Sequence, residues 1–309
     1  MKKDFLSITD IDEYELENII ADAMHLKRLK CAGTAHEYLR GKSLGMIFEK
    51  ASTRTRVSFE VGMSDLGGHA LFLNPQDMQL GRGEEIRDTA RVLARYVDAV
   101  MIRAYSHDAI EEFARYSSVP VVNGLSDRLH PCQVLSDIMT LSERFGDLRD
   151  LKLAWVGDGN NVCNSWILSS ALTGMEIVVA SPPRYRPKDK VVGQAQAAGG
   201  RVSIVKDPEE AVRDADVIYT DIWVSMGDEQ ERSERLQALK GYTIDSRLLA
   251  RASPDALVMH CLPAHRGEEI TDEVMEGPQS IVWDQAENRL HAQKALLMRL
   301  IAGGMTSVD

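Results

Sequence analysis

Leu44-Gly45-Met46-Ile47-Phe48-Glu49-Lys50-Ala51-Ser52-Thr53-Arg54-Thr55-Arg56-Val57-Ser58-Phe59-Glu60 reads as an apolar strand, a polar turn and the opening of a helix. The strand portion, Leu44–Phe48, is a short apolar run. Working outward, the same rhythm returns. Ala70–Leu73, Ala99–Ile102 and Val119–Val122 read as further strands, and Ile86, Ala90, Leu93 and Val97 form one helical stripe between them. Upstream, Ile8 to Leu29 places Leu16, Ile19, Ile20, Ala23 and Leu26 at helical spacing, with acids early and Lys27, Arg28 and Lys30 late, as the helix dipole prefers. Strands alternating with helices imply βαβ units and a parallel sheet.

Downstream, a helix from Gln133 to Phe145 runs into a polar Gly146-Asp147 break, and the rhythm restarts at Leu151–Val156. Ile177–Ala180, Val202–Val205, Val217–Thr220, Leu257–His260 and Ile281–Trp283 read as the later strands, and Gln285–Ile301 as a closing helix. The break sets a domain boundary between residues 146 and 147. From Asp221 to Gly241 the chain is polar and shows no strand signal, the pattern of a lid or a disordered excursion. The basic Pro182–Lys188 segment reads as a rigid solvated turn.

With 309 residues the chain is long enough for two domains, and its 44% apolar and 27% charged residues are those of globular proteins. Subtracting 47 acidic from 36 basic residues leaves a charge of −11, which opposes a broad grip on nucleic acid or anionic lipid. An anionic ligand must therefore be held locally. Lys2 and Lys3 precede no apolar leader core, and no window resembles a membrane-spanning helix, so neither export nor membrane residence is expected. The four cysteines, Cys31, Cys132, Cys163 and Cys261, contain no CxxC pair and suit a reducing cytoplasm.

Chemistry concentrates at strand ends. Ser52 or Thr53 can cap the helix that follows Phe48, whose first-turn N–H groups then form an anion cradle. Arg54 adds a planar fork for phosphate oxygens. An ordinary capped helix with solvated arginines accounts for the same letters. Arg103, just beyond Ala99–Ile102, and His130-Pro131-Cys132-Gln133, after Val119–Val122, belong to the same sheet edge, so three strand ends converge. Gly157-Asp158-Gly159-Asn160-Asn161 resembles a dinucleotide fingerprint, but position 162 is valine where the third glycine is required. Asn160 and Asn161 can instead hold a carboxylate, or simply cap the helix. Asp221 ends a strand, well placed for an ammonium group. Cys261 in His260-Cys261-Leu262-Pro263-Ala264-His265 is either a poised thiol or a small buried hydrophobe. A zinc site from His130, Cys132, His260, Cys261 and His265 is disfavoured because no pair has the usual short ligand spacing.

Taken together, FEKASTRTRVSFE at 48–60, HPCQ at 130–133, DIWVSMG at 221–227 and HCLPAHRG at 260–267 resemble the ornithine carbamoyltransferases. The resemblance spans nearly the whole chain. It implies two doubly wound α/β domains with parallel sheets: a carbamoyl-phosphate domain over residues 1–146, completed by the last helix at 286–309, and an ornithine domain over 147–285. It implies that Ser52, Thr53, Arg54 and Thr55 hold phosphate with help from Arg103. His130 and Gln133 would bind the carbamoyl oxygen and amide, and Cys261, the Leu262 carbonyl and Arg289 would complete that pocket. Asn161, Asp221, Ser225 and Met226 would hold ornithine. A glutamine lent to a neighbour across a homotrimer interface corresponds to Gln79 or Gln76. The implied activity is transfer of the carbamoyl group of carbamoyl phosphate to the δ-amine of L-ornithine in arginine metabolism, without metal or organic cofactor. Two rival readings stand beside it: a nucleotide-dependent oxidoreductase, which the missing third glycine opposes, and a non-catalytic amino-acid sensor.

Overall fold

The opening helix α1 (Glu13–Cys31) starts at Asp12, whose carboxylate accepts the Glu15 N–H at 2.8 Å while the Glu15 carboxylate accepts the Asp12 N–H at 3.2 Å. This reciprocal capping box satisfies two of the helix's orphan donors. Its buried face is Leu16, Ile19, Ile20, Ala23 and Leu26, the stripe expected from spacing. The computed structural model describes residues 4–79, 83–224 and 229–303. Two units emerge, Met1–Glu143 with Glu287–Asp309, and Arg144–Ala286.

The first unit continues as β1 (Ser43–Phe48), α2 (Thr53–Asp65), β2 (His69–Leu73), α3 (Ile86–Leu93), β3 (Ala99–Arg103), α4 (His107–Tyr116), β4 (Val121–Leu125) and α5 (Pro131–Phe145). The strands form one parallel sheet in the order β2-β1-β3-β4. The order reverses between β1 and β3, and open parallel sheets bind ligands beyond the strand ends at such a switch point. Ile47, Val100, Ile102 and Val121 pack with Ile110 and Phe113 of α4 in a core that keeps this edge rigid.

The second unit comprises β5 (Lys152–Val156), α6 (Asn161–Thr173), β6 (Glu176–Ala180), α7 (Asp189–Ala197), β7 (Arg201–Val205), α8 (Pro208–Val212), β8 (Val217–Thr220), α9 (Arg232–Ala238), α10 (Ser246–Leu249), β9 (Leu257–His260) and α11 (Asp272–Met275). Its parallel sheet runs β7-β6-β5-β8-β9, with the switch between β5 and β8. Trp155 of β5 stacks on Tyr219 of β8 at 5.0 Å between ring centroids, closing the core beneath that point. The last helix, α12 (Val282–Ala302), returns its residues from Glu287 onward to the first unit. There the fully buried Lys294 bonds Asp65 at 3.1 Å and His36 at 2.8 Å. Among the described residues, no helix is long and apolar enough to cross a membrane.

Two expectations need correction, and one alternative is narrowed. The strand expected at Val119–Val122 runs instead from Val121 to Leu125. Pro120 has no N–H for the ladder, while Asn123 and Gly124 extend it: the Asn123 amide donates to the Leu6 carbonyl at 3.0 Å, and Gly124 lies so close to Met101 that a Cβ would meet its sulfur at 2.4 Å. Ile281–Trp283 is not a strand. Val258 makes a single bridge to Ser280, and the backbone turns at once into α12, with the Gln285 N–H donating to the Ile281 carbonyl at 2.9 Å. Within the polar 221–241 stretch, residues 229–231 form a 3-10 turn and Arg232–Ala238 a helix, so this part is ordered.

Candidate active site

Phe48 of β1 and Arg103 of β3 are paired neighbours, so the turn into α2 and the Arg103 side chain leave the sheet at the same edge. Ser52 caps α2: its hydroxyl oxygen accepts the Thr55 N–H at 3.3 Å and its O–H donates to Thr55 Oγ1 at 3.1 Å. The next first-turn donors belong to Thr53 and Arg54, and no acidic residue occupies this turn. A positive helix end without a resident carboxylate is suited to an incoming anion. The β3–β4 register shifts between Ile102 and Arg103, and Arg103, still paired with Leu125, is buried there.

His130 precedes α5, and its carbonyl accepts the Gln133 and Val134 N–H groups at 3.1 and 3.3 Å. Its imidazole is buried. That burial, together with the Arg289, Arg103 and Arg54 guanidinium groups acting on it, holds His130 well below the usual histidine range, so the ring is neutral at physiological pH. The same fact locates the three arginines: all lie close enough to oppose a positive charge on one imidazole. Arg289 Nη1 donates to Gln133 Oε1 at 2.5 Å and Nη2 to Thr55 Oγ1 at 3.3 Å. With the Gln293 amide oriented to satisfy its neighbours, its oxygen accepts from Arg289 Nε at 3.0 Å and its nitrogen donates to Ser58 at 2.6 Å. The Gln133 amide nitrogen donates to Asp137 at 2.8 Å. Ser52, Arg54, Thr55, Arg103, His130, Gln133 and Arg289 thus form one neighbourhood, with Thr53 at the helix entrance beside it. Gln293 and Asp137, which hold the amide and guanidinium planes, carried no motif that marked them in advance.

Cys132, within the same motif, turns inward. Its thiol donates to the Asn123 carbonyl at 3.3 Å, and burial pushes its pKa up to about 12, so it is an inert core residue. Gln79 and Gln76 are exposed.

In the second unit the corresponding edge carries Asn160, Asn161 and Asp221. Asn160 caps α6, its amide oxygen accepting from Val162 at 3.0 Å and Cys163 at 3.1 Å, while its amide nitrogen donates to Asp221 Oδ2 at 2.6 Å. Asn160 is thus the cap of α6, and the carboxylate it holds is the protein's own Asp221. The other Asp221 oxygen accepts the Ile222 N–H at 2.8 Å, which fixes the carboxylate plane. Gly159 passes so near Pro187 that a Cβ would sit 2.3 Å from its nitrogen, so only glycine fits the approach. Asn161 is the first residue of α6, half-buried at the same entrance. Ser225 and Met226 lie outside the described residues.

Cys261 follows β9 and stands with Asp221 and His260 in one cluster, a ligand atom of each within 4.8 Å of the others. His260 is fully buried. Its Nδ1 accepts the Leu262 N–H at 2.9 Å, so the proton sits on Nε2, which faces Glu269 Oε1 at 3.1 Å. Both ring nitrogens are engaged within the protein, and the cluster offers a metal no imidazole lone pair. The Leu262 backbone adopts φ +59, a left-handed conformation uncommon for leucine, and the bond to His260 holds it. The Gln285 side chain accepts the His260 N–H at 3.0 Å and donates to the Tyr219 hydroxyl at 2.8 Å. Glu269 and Gln285 are further supports that no spacing pattern revealed. The disfavoured zinc constellation has no support here either, since the Cys132 thiol and the His260 ring are both engaged within the protein.

The family described as aspartate/ornithine carbamoyltransferase matches in two parts, its carbamoyl-P binding domain over residues 3–143 and its Asp/Orn binding domain over residues 149–300. The chain is 90% identical over 309 residues to an ornithine carbamoyltransferase of Methanoculleus marisnigri, covering 100% of both. It is 59% identical over 304 residues to one of Methanocorpusculum labreanum, covering 98% of this chain and 100% of that protein. Its fold is similar to the solved ornithine carbamoyltransferase of Pyrococcus furiosus, with a TM-score of 0.93 and 52% identity over 98% of each chain. For the Thermus thermophilus enzyme the TM-score is 0.88 at 41% identity, over 97% of this chain and 99% of that one.

Proposed function

The chain belongs to the aspartate/ornithine carbamoyltransferase family, and from that premise we propose how its own residues carry a carbamoyl group from carbamoyl phosphate to the δ-amine of L-ornithine. It is a carbamoyltransferase, and the reaction gives L-citrulline and phosphate. The observation that carries the residue assignment is that Arg289 bonds both Gln133 and Thr55, while Arg103 leaves the sheet edge beside the entrance of α2.

Ser52, Thr53, Arg54 and Thr55, with the free N–H groups of α2, hold the phosphate, and Arg103 shares its charge. The neutral His130 donates a hydrogen bond to the carbamoyl oxygen. Gln133 Oε1, already receiving Arg289, has a second lone pair for the carbamoyl amide. Leu262, through its carbonyl, and Cys261 are further partners of the carbamoyl group. Asp221, held by Asn160, takes the α-ammonium of ornithine; Asn161 takes the carboxylate, and Ser225 and Met226 contribute to the same substrate.

The amine must reach the reaction neutral, although its pKa in water is near that of lysine, about 10. Desolvation and the positive field around the phosphate favour its deprotonation. Its lone pair forms the N–C bond, negative charge gathers on the carbonyl oxygen, and His130 and the arginines meet that charge where it develops. The C–O bond to phosphate then breaks. One proton of the attacking nitrogen leaves with the phosphate, giving the neutral ureido product and hydrogen phosphate.

We also place the protein in the cytoplasm and in arginine metabolism as a homotrimer. Four cysteines that form no disulfide among the described residues fit a reducing compartment. Val57, Val61, Leu71 and Phe72, between 36% and 51% exposed on α2 and the edge strand β2, form a surface that a second copy would cover, with Gln79 or Gln76 reaching the neighbour's phosphate. The direct test is citrulline formation from carbamoyl phosphate with ornithine, run beside putrescine and an Nα-acylated ornithine. Turnover with ornithine alone is expected; preference for either other amine contradicts the role of Asp221.

A further inference from the structure

The loop between β9 and α11 brings together three side chains that the transfer reaction does not use as a set. One ligand atom each of His265, Glu268 and Glu269 lies within 4.8 Å of the other two, and His265 Nδ1 stands 4.0 Å from Glu268 Oε2. Each carboxylate has one oxygen engaged. Glu269 Oε1 accepts from His260 Nε2 at 3.1 Å and from the His265 N–H at 2.5 Å. Glu268 Oε1 pairs with Arg232.

The other two oxygens are left over. Glu268 Oε2 and Glu269 Oε2 are buried and have no hydrogen-bond partner among the described residues, and the Glu269 side chain is 0% exposed. A buried carboxylate oxygen without a hydrogen-bond partner is costly, and in a native fold it calls for a physical cause such as strain, a water or an ion. The neighbouring cation Arg266 is directed away, to Asp272 and Glu276. Arg232 is the one guanidinium paired with these acids among the described residues.

An imidazole nitrogen with two carboxylate oxygens is a donor set for zinc or manganese, with remaining positions left to water. We propose that His265, Glu268 and Glu269 form a binding site for a divalent transition-metal ion, separate from the Asp221–His260–Cys261 cluster. The His265 side chain, 43% exposed, gives the ion access. Rotation of that ring draws the 4.0 Å separation toward the roughly 3.3 Å that ligands about 2.0 Å from one tetrahedral ion require. Because Glu269 also holds His260, the ion would brace the turn that carries Cys261 and Leu262.

The test uses the full-length chain carrying Cys261→Ser, which removes the active-site thiol as a competing ligand. Titration of Zn2+ against a chromophoric chelator should reveal one site, and adding His265→Ala should weaken it at least tenfold, with the circular dichroism spectrum unchanged. His265→Ala alone should leave citrulline formation in metal-free buffer unchanged. Absence of a zinc site in the Cys261→Ser protein, as expected if water fills the gap, overturns the proposal; so does equal affinity after His265→Ala. Cobalt provides a second reading in the Cys261→Ser protein. Weak d–d bands without a thiolate charge-transfer band support the site, whereas a thiolate band places the ion on another cysteine and overturns it.

Discussion

Arg289 Nη1 lies 2.5 Å from Gln133 Oε1, joining the final helix to the entrance of α5 across about half of the chain's length. The same guanidinium reaches Thr55 at the entrance of α2, so one planar group ties together both helix ends that face the proposed carbamoyl-phosphate site. Lysine cannot reproduce this fork. Arg289→Lys is therefore expected to lower kcat/KM for carbamoyl phosphate by ~10- to 100-fold, since a positioned charge-assisted donor is lost. The KM for ornithine should change far less. Steady-state kinetics with each substrate varied in turn checks this, and an effect confined to ornithine would contradict it.

Asn160 has two duties, and its removal separates them. Asn160→Ala deletes the cap of α6, at a cost of about 1 kcal/mol in stability. It also frees Asp221, which should raise the KM for ornithine on the order of tenfold as a charge-assisted hydrogen bond is lost. Asn160→Asp keeps the cap but sets a carboxylate against Asp221, so it should keep more stability than alanine while binding ornithine no better. Thermal unfolding and ornithine KM, measured on both variants, decide whether the two effects dissociate.

Acid should weaken the fold well above the carboxylate range. Burial and Lys294 bring His291 down to about 4, and burial with three arginines holds His130 lower than the usual histidine value. In the unfolded chain both titrate near 6.5. Below that pH the unfolded state binds protons that the folded state refuses, so stability declines as pH falls from about 6.5 toward 4. Asp65, held down by its hydrogen bonds to Lys30 and Lys294 against its own desolvation, adds its loss only at lower pH. Urea unfolding at pH 7 and pH 5 should show a lower midpoint at pH 5; an unchanged or higher midpoint contradicts the sign.

Much of the architecture was legible because strands buried on both faces, such as Ile177–Ala180 and Val217–Thr220, appear as unbroken apolar runs between helical stripes. The register of β4 was hidden by Asn123 and Gly124, residues that normally signal turns and here are satisfied by tertiary contacts. The start of α12 was hidden because a short apolar triplet does not distinguish strand from helix. At the candidate site, hydroxyl, arginine and histidine residues at strand ends could be singled out by position. Asp137, Glu269, Gln285 and Gln293 could not, since each acts by holding another side chain and belongs to none of the four motifs.

Whether the entrance of α2 holds the phosphate is tested most directly by Arg54→Ala. Citrulline formation should be measured at saturating carbamoyl phosphate and ornithine, with the fold confirmed intact. A fall in kcat on the order of 10²-fold or more is expected when an anion-stabilising donor is removed. Near-normal turnover would contradict the assignment.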